Sequence, residues 1–253
     1  MPDIEERKEE LTPALEQGAC SIEVPLNAEE INSFCKYAEL LRERNKVMNL
    51  TNIVDDEGIA MRHFVDSLTL VPYIKEEQQK KGREDLTIID VGTGAGFPGI
   101  PVKVKLPKLQ LILMDSLQKR INFLEDVSSE IGLTGVTTIH SRAEDAGRNK
   151  RYREKYDIAT ARAVAALPVL CEYCLPFVKV GGVFLAMKGK VEEELKDAQK
   201  AIAMLGGTIE KTDTFTLPGT DMNRAVVVIR KVRPTPPQYP RQAGKPSKSP
   251  LGK

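Results

Sequence analysis

Tryptophan is absent from this chain of 253 residues, and aromatic side chains make up only 5% of it. An aromatic cage, or a stacking sheet for unpaired bases, is therefore disfavoured. Histidine occurs only as His63 and His140, and no spacing of cysteines or carboxylates supplements the pair, so no metal site is expected. The cysteines are Cys20, Cys35, Cys171 and Cys174, too sparse to staple a secreted fold of this size. Cys171 and Cys174 fall in the apolar run LPVLCEYCLPFV, where two buried thiols about one helical turn apart are expected. No apolar run approaches the roughly 18 residues of a spanning helix, and no basic-then-apolar leader opens the chain. The reading is a cytoplasmic protein without a membrane segment. No lysine follows the glycine-rich turn as in a P-loop, and no serine nucleophile elbow occurs, which disfavours phosphoryl transfer and serine hydrolysis.

Net charge is nearly missing too, at +1, but it is unevenly spread. Acids crowd the opening MPDIEERKEE. From Arg230 onward, Arg230, Lys231, Arg233, Arg241, Lys245, Lys248 and Lys253 stand without an acid. Such a tail is a candidate polyanion contact, or else a solvated disordered terminus.

What is plentiful is glycine at one place. IIDVGTGAGFPGIP, residues 88–101, is a strand running into Gly92, Gly94, Gly96 and Gly99, after which a helix opens. Bare backbone permits positive φ and a close approach by a ligand, and the amides of the new helix would face it. From Gly94 the run also satisfies G-x-G-x-x-G, which indicates a cofactor or nucleotide without saying which. Asp90 precedes the turn, where it would orient the loop or meet an ammonium group. A pyrophosphate would be repelled there, which favours a methyl donor over a dinucleotide.

Before this motif, apolar residues from Ile31 to Val47 recur at helical steps, NLTNIVDDEG interrupts them, MRHFVDSLTLVPYI resumes them, and KEEQQKKGRED reads as a charged loop. After it, strands and helices alternate: TIIDV, a helix to Pro107, LQLILMD, a helix capped by Ser116, VTTIH, YDIATA, a helix over 163–178, GGVFLAMKG, a helix over 191–206, and the strands KTDTFTL and NRAVVVIRKV. The last connection is too short for a parallel crossover and forces an antiparallel hairpin. The fold class is α/β: a Rossmann-like seven-stranded sheet, mostly parallel with a C-terminal antiparallel hairpin, plus an N-terminal helical extension. Its parts are the extension over 1–84, the cofactor-binding domain over 85–233 and a basic Pro/Lys-rich tail over 234–253. That sheet plan is shared, by analogy of class, with S-adenosylmethionine-dependent methyltransferases. A monomer is expected, because the predicted elements absorb the apolar pattern.

Several side chains could then carry chemistry. Asp115 closes the second strand, beside the ligand crevice of an open α/β sheet, where its carboxylate matches a ribose diol. In SRAEDAG, Glu144 or Asp145 could accept from an exocyclic amine while the main chain near Ala143 meets a ring nitrogen. Arg162, in TARAVA, lies on the same edge and could face a donor carboxylate or a substrate phosphate.

With these residues in place, the chain resembles the RsmG family, also called glucose-inhibited division protein B, of bacterial 16S rRNA guanine-N7 methyltransferases. The resemblance rests on NLTNI at 49–53, RHFVDSL at 62–68, DVGTGAGFPGIP at 90–101, DSLQKRINFL at 115–124, SRAED at 141–145, TARAVA at 160–165, GGVFLAMKG at 181–189 and YPRQAGKPSKSPL at 239–251. It implies S-adenosylmethionine as cofactor and 16S rRNA or the small ribosomal subunit as partner. Gly92 and Phe97 would line the methionine end, Asp115 the ribose, Ala143 and Glu144 the adenine, and Arg162 the outer pocket, with Asp90, Gly94 and Gly96 shaping the turn. Thr93 and Ser141 stand where the family often has serine and glycine, and Gln242 trims the charge of the tail. Guanine N7 offers a lone pair and no proton, so no catalytic acid or base is expected and alignment is the main task. Arg62, His63, Lys119, Arg120 and Lys188 are candidates for holding RNA near the crevice. Arg241, Lys245 and Lys248 would meet its backbone from the tail. A non-catalytic assembly factor that binds the donor, and an NAD-dependent oxidoreductase, are the alternatives.

Overall fold

The computed structural model describes residues 4–252; Asp3 and Lys253, counted above among the terminal charges, lie outside the described residues. α1 (Ile4–Ser21) and α2 (Ala28–Met48) come first. Charge masks α1 in the sequence, yet Leu11, Leu15 and Ala19, one turn apart, are all buried. α2 starts with a capping box: the Glu30 amide donates to the Asn27 side chain, and the Asn27 amide donates to the Glu30 carboxylate. α3 (Asp56–Gly58), a π-helical turn (Ile59–Val65) and α4 (Asp66–Leu68) lead into α5 (Val71–Lys81).

α5 corrects the reading of KEEQQKK as a loop. Those residues carry no apolar period of their own, because the helix is held by charge on that side. Glu76 pairs with Lys80 one turn on, Glu77 is buried against Arg230, and Gly82 ends the helix in the left-handed region.

The sheet contains β1 (Thr87–Val91), β2 (Gln110–Asp115), β3 (Val136–His140), β4 (Tyr156–Arg162), β5 (Val178–Lys188), β6 (Gly207–Thr216) and β7 (Asn223–Lys231). Their order is β3-β2-β1-β4-β5-β7-β6, with β7 antiparallel to both its neighbours and every other pairing parallel. The central strands are apolar on both faces because both faces are covered. Ile88 points into a cluster shared with Phe34, Tyr37 and Phe64 of the N-terminal helices, and Ile89 into a second cluster with Leu170 and Ile202. The connecting helices are α6 (Gly99–Lys105), α7 (Gln118–Glu130), α8 (Ala143–Ala146), α9 (Leu167–Cys174) and α10 (Glu192–Met204).

Two helix starts differ from expectation, and the helix expected to reach residue 178 ends at Cys174. Ser116 does not cap α7; the Leu117 amide donates instead to Asp115 Oδ1 at 2.9 Å. Residues 163–166 are not helical: Ala163 has φ +55, and α9 starts at Leu167, whose amide donates to Glu194 Oε2. Cys171 and Cys174 are buried free thiols within α9, and burial pushes the Cys171 thiol above its usual range.

The tail is not a solvated terminus. Tyr239 and Leu251 are buried, Arg153 donates to the carbonyls of Thr235 and Tyr239, and Arg241 grips the fully buried Glu172. It ends in α11 (Lys245–Lys248). Among the described residues, no helix is long and apolar enough to cross a membrane.

Candidate functional site

β1 delivers the glycine turn to the carboxyl edge of the sheet. Gly92, Gly94 and Gly96 have φ of +70, +63 and +104, and the Gly92 amide donates to the Met114 carbonyl of β2 at 2.8 Å. Behind the turn, Asp90 is fully buried. Its Oδ2 accepts from the Thr93 hydroxyl at 2.6 Å and from the Gly99 amide at 2.9 Å, while Oδ1 has no partner. Burial pushes its carboxyl up to about 6. Of the two roles open to Asp90, the geometry displays orientation of the loop. The leading amide of α6 is thereby bound by Asp90 and does not face a ligand, contrary to the simplest reading of the motif.

In front of the turn is a cleft of about 490 Å³. Gly92, Asp115, Ala143 and Glu144 line it, as do Val164 beyond β4 and Gly244 of the tail. Asp115 is almost wholly buried at the tip of β2: Oδ2 accepts from the Gly94 amide at 3.0 Å and from Arg120 Nη1 at 3.2 Å, so the carboxylate ties the turn to α7. Glu144, buried on α8, accepts from the Gly244 amide through Oε1 at 2.9 Å. The cleft thus offers two separated carboxylates, bare backbone between them and an apolar patch at Val91 and Val164. A nucleoside fits this set of acceptors, since a ribose diol and an exocyclic amine each need an acceptor.

Phe97 and Arg162 are not part of that lining. Phe97 is boxed by the N-terminal part: the His63 ring stacks on it at 4.5 Å between centroids, Tyr37 lies at 5.4 Å, and the Arg162 guanidinium sits 5.0 Å from its centroid. Tyr37 also donates to the Ala95 carbonyl inside the glycine turn. Arg162 Nη1 donates to Asp66 Oδ2 at 2.8 Å and to the Arg62 carbonyl at 3.1 Å, so its charge is matched internally.

His63 does not suit the role of RNA cation. It is buried, its Nε2 meets Thr51 Oγ1 at 2.9 Å, and its Nδ1 has no partner. Burial, reinforced by Arg162, lowers it to about 4, so the ring is neutral near pH 7. The other cations differ among themselves. Arg62, Lys119, Lys245 and Lys248 are exposed. Lys188 donates to the Ala165 carbonyl and pairs with Glu194, Arg120 leans on Asp115, and Arg241 is bound to Glu172. Asp66, Val164, Tyr173 and Gly244 are among the residues that escaped the sequence reading. Asp66 stands in the quoted RHFVDSL and Val164 in TARAVA, but only the fold brings them to Arg162 and to the cleft.

The family model described as rRNA small subunit methyltransferase G (GidB) matches residues 30–223. A ribosomal RNA small subunit methyltransferase G of Acetivibrio thermocellus is 51% identical over 248 residues, covering 98% of this chain and 100% of its own length. One from Alkaliphilus oremlandii is 49% identical, covering 96% of this chain and 99% of its own. Among solved structures, TrmN from Thermus thermophilus is similar with a TM-score of 0.49 and 16% identity, covering 68% of this chain and 53% of that one.

Proposed function

The chain belongs to the rRNA small subunit methyltransferase G family and is an S-adenosylmethionine-dependent rRNA methyltransferase; from that membership we propose that it methylates N7 of a guanine in 16S rRNA, with the donor in the cleft between Asp115 and Glu144. The dinucleotide alternative left open by the glycines falls with this membership. The observation that carries the placement is the Asp115 carboxylate, at the end of β2 and beside the glycine turn, opposite Ala143 and Glu144.

S-adenosylmethionine supplies a methyl group on a sulfonium centre. Asp115 accepts from the ribose hydroxyls while its bond to the Gly94 amide keeps the turn in register. Glu144 and the main chain at Ala143 receive the adenine edge. Val91 and Val164 keep water from the apolar part of the cleft. Asp90 and Thr93 hold the loop, and Phe97, clamped by His63, Tyr37 and Arg162, holds the next residues. No proton leaves N7 during attack, so the neutral, buried His63 is needed only as a spacer stacked on Phe97. Arg62 and Lys119, exposed on the same edge, and Lys245 and Lys248 of the tail receive the RNA backbone.

The test is methyl transfer from labelled S-adenosylmethionine to small-subunit particles and to naked 16S RNA lacking the modification, read by nucleoside mass spectrometry. Label recovered as 7-methylguanosine is the expected outcome. Label on another base or another ring atom would refute the proposed position.

A further inference from the structure

The charge of the tail suggests an RNA contact and nothing more, but its path suggests a second task. Gly244 lines the cleft, and its amide is bound to the buried carboxylate of Glu144 at 2.9 Å. Tyr173 of α9 lines the same cleft and meets Ser247 through its hydroxyl at 2.8 Å. On the near side, Arg241 holds the fully buried Glu172 by both its backbone amide and its guanidinium. Pro240 packs so closely on Gly147 that a Cβ there would lie 2.9 Å from its ring. On the far side, Leu251 is buried in the cluster beneath α9 and α10. Residues 239–251 are thus a strap fastened at both ends, with its middle on the cleft.

We infer that this strap is part of the donor site: it forms the outer wall of the cleft and orients Glu144 toward the adenine edge. The inference rests on the donor placement proposed above. Gly244 has φ +81, which glycine adopts freely and other residues rarely do. Its amide occupies one carboxylate oxygen of Glu144, leaving the other oxygen to a ligand donor in a fixed direction. Because binding linkage is reciprocal, donor that leans on the strap also stabilises it. Lys245 and Lys248 ride on the same strap and are exposed, so an RNA backbone held by them would bear on the donor wall directly.

Two measurements test this. In the unsubstituted full chain, hydrogen exchange of peptides spanning 241–250 should slow when S-adenosylmethionine is added, together with those spanning 90–99. Slowing confined to 90–99 would overturn the inference. Calorimetry with S-adenosylmethionine should show Gly244→Pro, which removes the amide and cannot keep a positive φ, binding about tenfold more weakly. Asp115→Ala serves as the reference. If Asp115→Ala weakens binding while Gly244→Pro does not, the strap inference alone is overturned. If Asp115→Ala binds normally, the donor lies elsewhere and both readings fall.

Discussion

Gly94 and Gly96 share a motif but not a constraint. A Cβ on Gly94, at φ +63, meets nothing within 4 Å, whereas on Gly96, at φ +104, it would lie 2.5 Å from the Tyr37 hydroxyl. Gly94→Ala should cost about 1–2 kcal/mol of stability from backbone strain alone. Gly96→Ala adds overpacking and should cost about 3–5 kcal/mol. Urea denaturation separates the two, and equal costs would refute the steric assignment. Asp90 and His63 are a second contrast, in their titration. The Asp90 carboxyl rises from 3.8 to about 6, so the folded state keeps a proton that the unfolded chain releases, and its contribution to stability falls as pH rises from about 4 to 6. His63 drops from 6.5 to about 4, so folding excludes a proton and its contribution rises with pH from about 4 to 6.5. The two oppose each other in one window. Relative to the unsubstituted chain, Asp90→Asn should make stability rise more steeply with pH there and His63→Phe less steeply, as read from urea midpoints at half-unit steps.

Among elements, one buried carboxylate ties the N-terminal helices to two strands of the sheet at once. Asp66 of α4 accepts from Arg162 at the end of β4 and from Arg224 at the start of β7, both at 2.8 Å. Removing it leaves two guanidinium groups largely buried without their partner. Asp66→Ala should therefore cost about 3–5 kcal/mol, measured by denaturant unfolding, and a cost below about 1 kcal/mol would show the joint to be cosmetic. The sequence announces the strands here well, because β1 and β4 are buried on both faces and so read as mostly apolar runs, with Asp90, Asp157 and Thr160 as buried polar exceptions. It announces charged elements poorly. α5 is held by ion pairs to β6 and β7, partners more than a hundred residues away, so its second half resembles a loop until the sheet is assembled. Residues 163–166 look helical by composition, yet the positive φ of Ala163 turns them into a wall of the cleft.

At the scale of the molecule, charge counted along the chain overstates what is free to meet RNA. Arg241 is bound to Glu172 and Arg230 to Glu77 and Glu210, while Lys245 and Lys248 are exposed. Replacing both lysines by alanine should lower the slope of log affinity against log salt for 16S RNA by about one to two, one per phosphate contact. An unchanged slope would remove them from the interface. Truncating the tail is a poorer test, since it also strips buried Tyr239 and Leu251 from the core. Asp115 and Glu144 were legible because each ends a recognisable pattern at the carboxyl edge of the sheet; Gly244 was not, because a glycine in a tail carries no sign of what it lies against. The aromatic box around Phe97 reaches further. Tyr37 and His63 belong to the helices that precede the sheet and Phe97 to the turn after its first strand, and one apolar cluster holds both Tyr37 and Phe97. The helical extension and the sheet are therefore a poor pair for recombination: a chimera that joins this sheet to a relative's helices inherits a glycine turn shaped for another partner, unless Tyr37, His63 and Phe97 travel as a set.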